Sequence, residues 1–199
     1  MTIEKGRAWG ELSDHEPDTV AAGDAALAAL ADTARRSGRA ATLAVEGGDV
    51  LTTLGIDGLR PVGERMAFPV DLGQVRLDGG EPVPFVAHLV ARRRAWRGEF
   101  AVVMNAAWLG PRYLGPRAHL NDGLLDVTVG SLAARQLVLA RRRAVTGTHL
   151  PHPGLTTRRV AGWEHDFPRP VGVWADGRRI GSARSIRVEV IPDCFILVA

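Results

Sequence analysis

The chain has one cysteine, one tyrosine and almost no lysine among its 199 residues. The lone Cys194 excludes an internal disulfide and fits a reducing compartment. Within Cys-Phe-Ile-Leu-Val it reads as a small core residue of a strand-like tail. No apolar run approaches the ~20 residues that cross a bilayer as a helix. The opening Met-Thr-Ile-Glu-Lys-Gly-Arg-Ala-Trp-Gly carries no apolar signal region. The expectation is a cytoplasmic protein without a transmembrane segment. A strong excess of one charge is also missing: the formal net charge is +3, and the sequence pI is about 9.9 because nearly all the base is arginine. Arginine suits phosphate-bearing partners, but dispersed arginine without a motif is no nucleic-acid signature. What is present is 46% hydrophobic residues, enough to bury a real core and to exclude wholesale disorder.

Residues 1 to 18 are polar, carry Gly6, Gly10 and Pro17, and read as an extended arm. Thr19-Val-Ala-Ala is a short strand candidate. Asp24 follows as an expected N-cap, with Leu27, Leu30, Ala31 and Ala34 at helical spacing, Arg35 and Arg36 in the last turn and Gly38 as the stop. Thr42 to Val45 is a second buried strand, which completes a strand-helix-strand unit consistent with a parallel pair. It leads into Glu46-Gly47-Gly48-Asp49, a tight glycine turn of the kind that suits anions when a helix follows.

From Met66 onward the pattern changes to short strands. Val70, Leu72, Val75 and Leu77 surround an expected break at Gly73, and Asp78-Gly79-Gly80 signals a hairpin. Val83 to Val90 and Phe100 to Ala107 are strongly apolar strand candidates. Between them Arg92-Arg-Arg-Ala-Trp96-Arg97 reads either as a basic patch for an anionic lipid surface or as a solvated loop with Trp96 packed beneath it. Ser131 is the expected cap of a helix whose Leu132, Ala133, Leu137, Ala140 and Ala144 share a face, with Arg135 and Arg142 on the solvated side. His149 and His152 have zinc-compatible spacing, yet no Cys or third His is near in sequence, so a rigid proline loop is the reading adopted. Residues 158 to 199 read as a strand meander.

The centre of the pattern is Pro116-Arg-Ala-His-Leu-Asn-Asp-Gly-Leu-Leu-Asp-Val-Thr-Val129. Asn121-Asp122-Gly123 is a turn signal. After it Leu125, Val127 and Val129 point to one face of a strand, while Leu124, Asp126 and Thr128 point to the other. This run resembles the signature of bacterial lipid kinases related to diacylglycerol kinase. The resemblance covers residues 19 to 55 loosely and 68 to 199 well. It implies a structural magnesium site held by His119, Asp122 and the carbonyl of Leu124, although His119 stands where the family has an acid and magnesium prefers oxygen. Gly47-Gly48-Asp49 is similar to the family's Gly-Gly-Asp-Gly-Thr run, which implies nucleotide contacts for Gly47, Gly48 and Asp49 and a magnesium-linked catalytic role for Asp49. Val50 replaces the third glycine and would crowd a phosphate. No run matches the family's second nucleotide loop, Gly-Thr-x-Asn-Asp, and its Asn-Pro first strand has no counterpart. Asn105-Ala-Ala-Trp108 resembles a Gly-Asn-Gly segment. Asp176-Gly177-Arg178 resembles an Asp-Gly-Glu turn, which places Asp176 near the acceptor and Arg178 at the base position, where a guanidinium cannot accept a proton. Ile186 to Val198 matches the family's last strand pair.

The expected fold is α+β: a small α/β remnant of the NAD kinase and diacylglycerol kinase type over residues 1–65, packed on an antiparallel β-sandwich over 66–199. The expected function is that of a degenerate, non-catalytic member that keeps the scaffold for a ligand or partner. The alternative is an ATP- and magnesium-dependent kinase acting on a diacylglycerol-like hydroxyl. A lipid or anionic membrane surface is the partner implied, nucleic acid is not, and a homodimer stays open.

Overall fold

The computed structural model describes residues 9–56, 60–61 and 63–199. Residues 1–8 of the expected arm, and Asp57, Gly58, Leu59 and Val62 of the linker, lie outside the described residues. In chain order the elements are β1 (Glu11–Leu12), β2 (Thr19–Ala21), α1 (Asp24–Arg36), β3 (Thr42–Val45), α2 (Asp49–Leu54), β4 (Met66–Leu77), β5 (Val83–Phe85), β6 (His88–Arg92), β7 (Glu99–Met104), β8 (Trp108–Leu109), β9 (Arg112–Tyr113), β10 (Leu125–Ser131), α3 (Ala134–Arg143), β11 (Leu155–Val160), β12 (Gly162–Ala175) and β13 (Arg178–Val198). Single 3-10 turns occupy Arg94–Trp96 and Ala144–Thr146.

Antiparallel pairing runs in the order β1-β4-β13-β12-β6-β7-β10-β11. The sheet folds over on itself, because Val75 of β4 and Ile186 and Val188 of β13 share one buried cluster with Leu89, Val103, Leu125 and Val127 of β6, β7 and β10. That is a sandwich-like interior built from the inward half of each alternating strand. The alternation read for β10 holds: Leu125 and Val127 are buried there. At the far end β13 pairs in parallel with β3, and β3 in parallel with β2. The strand-helix-strand unit is thus hydrogen-bonded to the sandwich, and Leu27 and Ala31 of α1 pack with Phe195 and Leu197 of β13 in a second core. A third apolar cluster lies on the outer face of β6, β7 and β10 and includes Val90, Phe100, Val102 and Leu132, with Leu137 and Ala140 of α3 against it.

Several local expectations change. Gly73 does not break β4; it sits inside a continuous strand opposite Phe85. A Cβ at Gly73 would lie 2.3 Å from the Phe85 ring, so glycine is there to seat the ring. Val83 to Val90 is two strands, interrupted at Val86 and Ala87, whose amides turn to a side chain described below. Ile186 to Val198 is not a strand pair but the second half of β13, bulged between Ile191 and Phe195. Ser131 ends β10 and caps nothing; α3 begins after Ala133, whose amide is accepted by the Gln136 side-chain oxygen. Asp24 does not cap α1 either, since Gly23 holds that position. The arm is fastened by β1 on β4, and by Trp9, which donates to the Pro69 carbonyl and leans on Phe68.

Phe85 is fully buried, so Gly73→Val cannot be absorbed by moving the ring into solvent. The expected cost is about 1–3 kcal/mol or somewhat more, as for other overpacked cores, read as a lower urea midpoint with an unchanged slope.

Candidate functional site

Strands β2 and β3 lie side by side and each runs into a turn followed by a helix. Asp24, the first residue of α1, reaches across to the second turn. Its Oδ2 accepts the Asp49 amide at 2.6 Å and its Oδ1 the Val50 amide at 3.4 Å. The side chain missing as a cap for α1 therefore caps α2. Gly48 makes this possible: its φ is 125°, and a Cβ there would fall 2.3 Å from Asp24 Oδ1. Burial pushes the Asp24 carboxyl up to about 7, opposed by the Asp49 amide and reinforced by the charges of Asp176 and Asp49. Asp49 in turn accepts the Gly110 amide at 2.8 Å. His88 Nδ1 stands 3.3 Å from the other Asp49 oxygen, within ion-pair reach but outside hydrogen-bonding geometry. Val50 does not face the turn as expected. It is helical, and its side chain is fully buried in the core under α1.

Asp176 lies in the turn between β12 and β13 with φ at 46°. Its carboxylate accepts three successive amides, Val86 at 2.8 Å and Ala87 and His88 at 2.9 Å. Burial raises its pKa, while those amides and His88 pull the other way. This is what interrupts the strand at Val86 and Ala87. Asp24, Asp49, Asp176 and His88 thus come together; Arg178 is exposed at the first position of β13. Of these, sequence reasoning missed His88 altogether and read Asp24 only as a cap.

The Asn121 to Leu124 turn is pinned from beneath by Asp71, which is fully buried. Asp71 accepts the Gly123 amide at 2.7 Å and the Asp193 amide at 2.9 Å, and burial raises its pKa against those bonds. Asn121 donates to Asp193 Oδ1 at 2.9 Å, which ties the turn to the β13 bulge. Asp122 accepts the Leu124 amide at 2.9 Å and is ion-paired with Arg159 of β11. Arg159 Nε also stands 3.6 Å from Asp126. The His119 ring packs against Trp9, tilted by 58° with centroids 4.3 Å apart, and its Nδ1 accepts the Asn121 amide at 3.1 Å. Among the described residues no group of three or more His, Cys, Asp or Glu is arranged to hold a metal ion. His149 and His152 are separated in role: His149 is buried beside a cavity and His152 accepts the Gly154 amide.

That cavity, about 300 Å³, lies between the outer face of β6, β7 and β10 and helix α3. Its walls are chiefly apolar, from Val90, Phe100, Val102, Leu132 and Leu137, and His88 and Gly177 line it next to the carboxylates. Arg92 and Trp96 of the basic loop also line it. Arg92 is held between the rings of Trp96 and Trp174, at 5.2 Å and 4.5 Å, and Trp96 packs on the third cluster, while Arg93, Arg94 and Arg97 are exposed.

Comparison with known proteins fits this geometry. Residues 20–199 match the family model described as the YegS C-terminal NAD kinase beta sandwich-like domain. The chain belongs to this diacylglycerol kinase-like family. A solved structure described as a diacylglycerol kinase from Bacillus anthracis str. Sterne matches at 16% identity and TM-score 0.53, over 79% of this chain and 66% of that one. Two others from the same bacterium, described as candidate diacylglycerol kinases, match at 16% and 13% identity with TM-scores of 0.58 and 0.61. They align over 79% and 90% of this chain and 68% and 77% of theirs. At these identities the likeness shows the fold. No curated protein sequence matches the chain. No helix of the described residues is long and apolar enough to cross a membrane.

In this family member the raised carboxyls make stability depend on pH. A folded pKa above the unfolded value means that the native state binds more protons. That contribution is present at low pH and is lost as pH rises through about 7 for Asp24. Asp71, Asp126 and Asp176 are raised as well and act in the same direction. His119 and His149, whose pKa values burial lowers, act in the opposite direction near neutral pH. The comparison with Asp24→Asn is therefore decisive: the variant should lose a fall in urea midpoint through about pH 7 that the native chain shows. A midpoint profile that Asp24→Asn leaves unchanged would contradict the assignment.

Proposed function

We propose that this chain is a non-transferring member of the diacylglycerol kinase-like family that binds a single lipid in the cavity beneath α3. The cavity itself carries the proposal: it has the size of the smaller ligand sites, apolar walls and a few convergent polar groups at one end. Arg92, Arg112, Arg141 and His149 supply the polar part of the lining, which suits an acyl chain with an anionic or hydroxyl-bearing head. Residues 66–199 form the ligand-binding sandwich in this reading, and residues 1–65 are the kinase-type α/β remnant.

The reading of the nucleotide side rests on the two strand-turn-helix turns. The family's Gly-Gly-Asp-Gly-Thr turn corresponds best to Ala22-Gly23-Asp24-Ala25-Ala26 after β2. Its Gly-Thr-x-Asn-Asp turn corresponds to Val45-Glu46-Gly47-Gly48-Asp49 after β3. This revises the assignment of Gly47, Gly48 and Asp49 to the first turn, and the second turn is altered instead of missing. Each turn keeps its aspartate. The first has lost two glycines and the threonine, and the second carries Glu46 where a phosphate would meet a hydroxyl. The α2 amides that could cradle a phosphate already hold the Asp24 carboxylate. ATP and magnesium, the cofactors the family implies, do not fit these residues as arranged. Arg178 cannot serve as the base.

The metal turn is read in the same way. The Arg159 guanidinium supplies the positive charge against Asp122 and Asp126. His119 spends its Nδ1 on a backbone amide. The set at His119, Asp122 and the Leu124 carbonyl therefore does not fit magnesium.

A kinase remains the second reading, because the charges of Asp24, Asp49 and Asp176 act on one another beside the two turns. Calorimetry with magnesium-ATP and a phosphate-transfer assay on diacylglycerol-like lipids separate the two. We expect no ATP heat and no transfer, from the native chain or from Arg178→Glu; robust native turnover would reinstate the kinase. For the cavity, a fluorescent fatty acid below its micelle concentration should bind the native chain, and Ala140→Trp should weaken binding about tenfold or more by filling the space. For the turn, thermal unfolding should be indifferent to chelator, and Arg159→Leu should lower the midpoint by several degrees (about 4 °C per kcal/mol for a domain of this size at most).

A further inference from the structure

Helix α3 is a ten-residue element that buries none of its residues. Its inner face, Leu137, Ala140 and Arg141, lines the cavity. Its outer face is unusual for a solvated helix. Val138 is 53% exposed, Leu139 46% and, in the following turn, Val145 51%. Basic side chains alternate with them: Arg135, Arg142 and Arg143, the last two in the final turn. From residue 127 to residue 163 the sequence contains no acidic residue. The nearest acids on either side lie off the helix: Asp126 faces Arg159, and Glu164 is on β12. On the strands beneath, Glu99 is taken up by His165 at 3.2 Å. The basic loop that carries Arg93 and Arg94 flanks the same cavity through Arg92 and Trp96.

We propose that the outer face of α3 and the turn after it seat the protein on an anionic lipid bilayer, with the cavity opening beside the seated helix. A helix with exposed aliphatic side chains among arginines and no acids has the pattern of an interfacial element, and each arginine near an anionic surface adds to the attraction. A second copy of this chain is a poor occupant, because a two-fold contact through this face would set the arginines against one another. Nucleic acid would not cover the aliphatic residues. The assignment deepens the lipid-cavity reading and rests on it: Leu137 and Ala140 look into the cavity while Val138 and Leu139 look out, so one helix lies between bilayer and bound lipid.

The test is co-sedimentation of the full chain with vesicles of phosphatidylcholine alone and of phosphatidylcholine with phosphatidylglycerol. Binding should require phosphatidylglycerol and weaken with salt. The double variant Val138→Asp with Leu139→Asp should bind about tenfold less, and Arg142→Ala about fivefold less. Neither should lower the melting temperature substantially, because these side chains are exposed. Equal binding to neutral vesicles, or binding indifferent to the Val138 and Leu139 change, would overturn the proposal. So would a native dimer that these variants render monomeric. Monomeric fatty-acid binding is measured in parallel on the same variants. If it is absent while vesicle binding follows the pattern above, the cavity reading fails and the docking surface stands. If it is intact while vesicles are ignored, the docking surface fails alone.

Discussion

The bond set on which the rest depends is the Asp176 carboxylate accepting the amides of Val86, Ala87 and His88. Three donors converging on one buried carboxylate stop β5 from running into β6 and fix where β6 begins. The same contact sets His88 against Asp49 and closes one end of the cavity with Gly177. Removing the carboxylate would orphan three backbone donors at once, each costing about 1–3 kcal/mol if left unsatisfied. Asp71 plays a parallel part under the Asn121 to Leu124 turn, and Asp24 at the start of α2. The molecule repeatedly uses an internal carboxylate to satisfy backbone amides at a turn.

That habit bears on function. A helix start whose amides hold Asp24 has less to offer a phosphate, and a turn whose carboxylates hold Arg159 has less to offer a cation. In both places a tethered side chain carries a charge that the family's pattern assigns to a ligand. The proposed loss of phosphoryl transfer then needs no collapse of the scaffold. The aspartates satisfy backbone groups as they stand, and in the proposed reading the outer face of the sandwich holds an apolar molecule.

Much of this was legible in the sequence. Strict alternation after Asn121-Asp122-Gly123 gave β10 and its inward face. The spacing of Leu27 and Ala31 gave α1, and Gly-Gly-Asp after an apolar run gave a strand-turn-helix. The misses share a cause: side chains acting at long range in sequence. Asp24 looked like a local cap because a helix followed it, but its partners are Asp49 and Val50. Nothing in Val83 to Val90 announces an interruption, because the acceptor that causes it lies some ninety residues away at Asp176. Gly73 looked like a break because the Phe85 ring that needs the space belongs to another strand. His88 carried no local pattern at all, and the inner and outer roles of α3 appear only once the strands beneath it are in place.

Strand β13 bears on how such a protein can move. It pairs with β12 and β4 in the sandwich, and its last residues pair with β3 of the α/β unit. One continuous strand therefore serves both the antiparallel sandwich and the parallel strand-helix-strand unit, with no free joint at the ladder between them. Closing or opening the two units against each other would shear the β13–β3 ladder and expose the core of Leu27, Phe195 and Leu197. Helix α3, by contrast, is held over the cavity by side-chain packing alone, through Leu137 and Ala140, and by no strand ladder. One wall of the cavity is therefore fixed by hydrogen-bonded strands and the other by apolar contact.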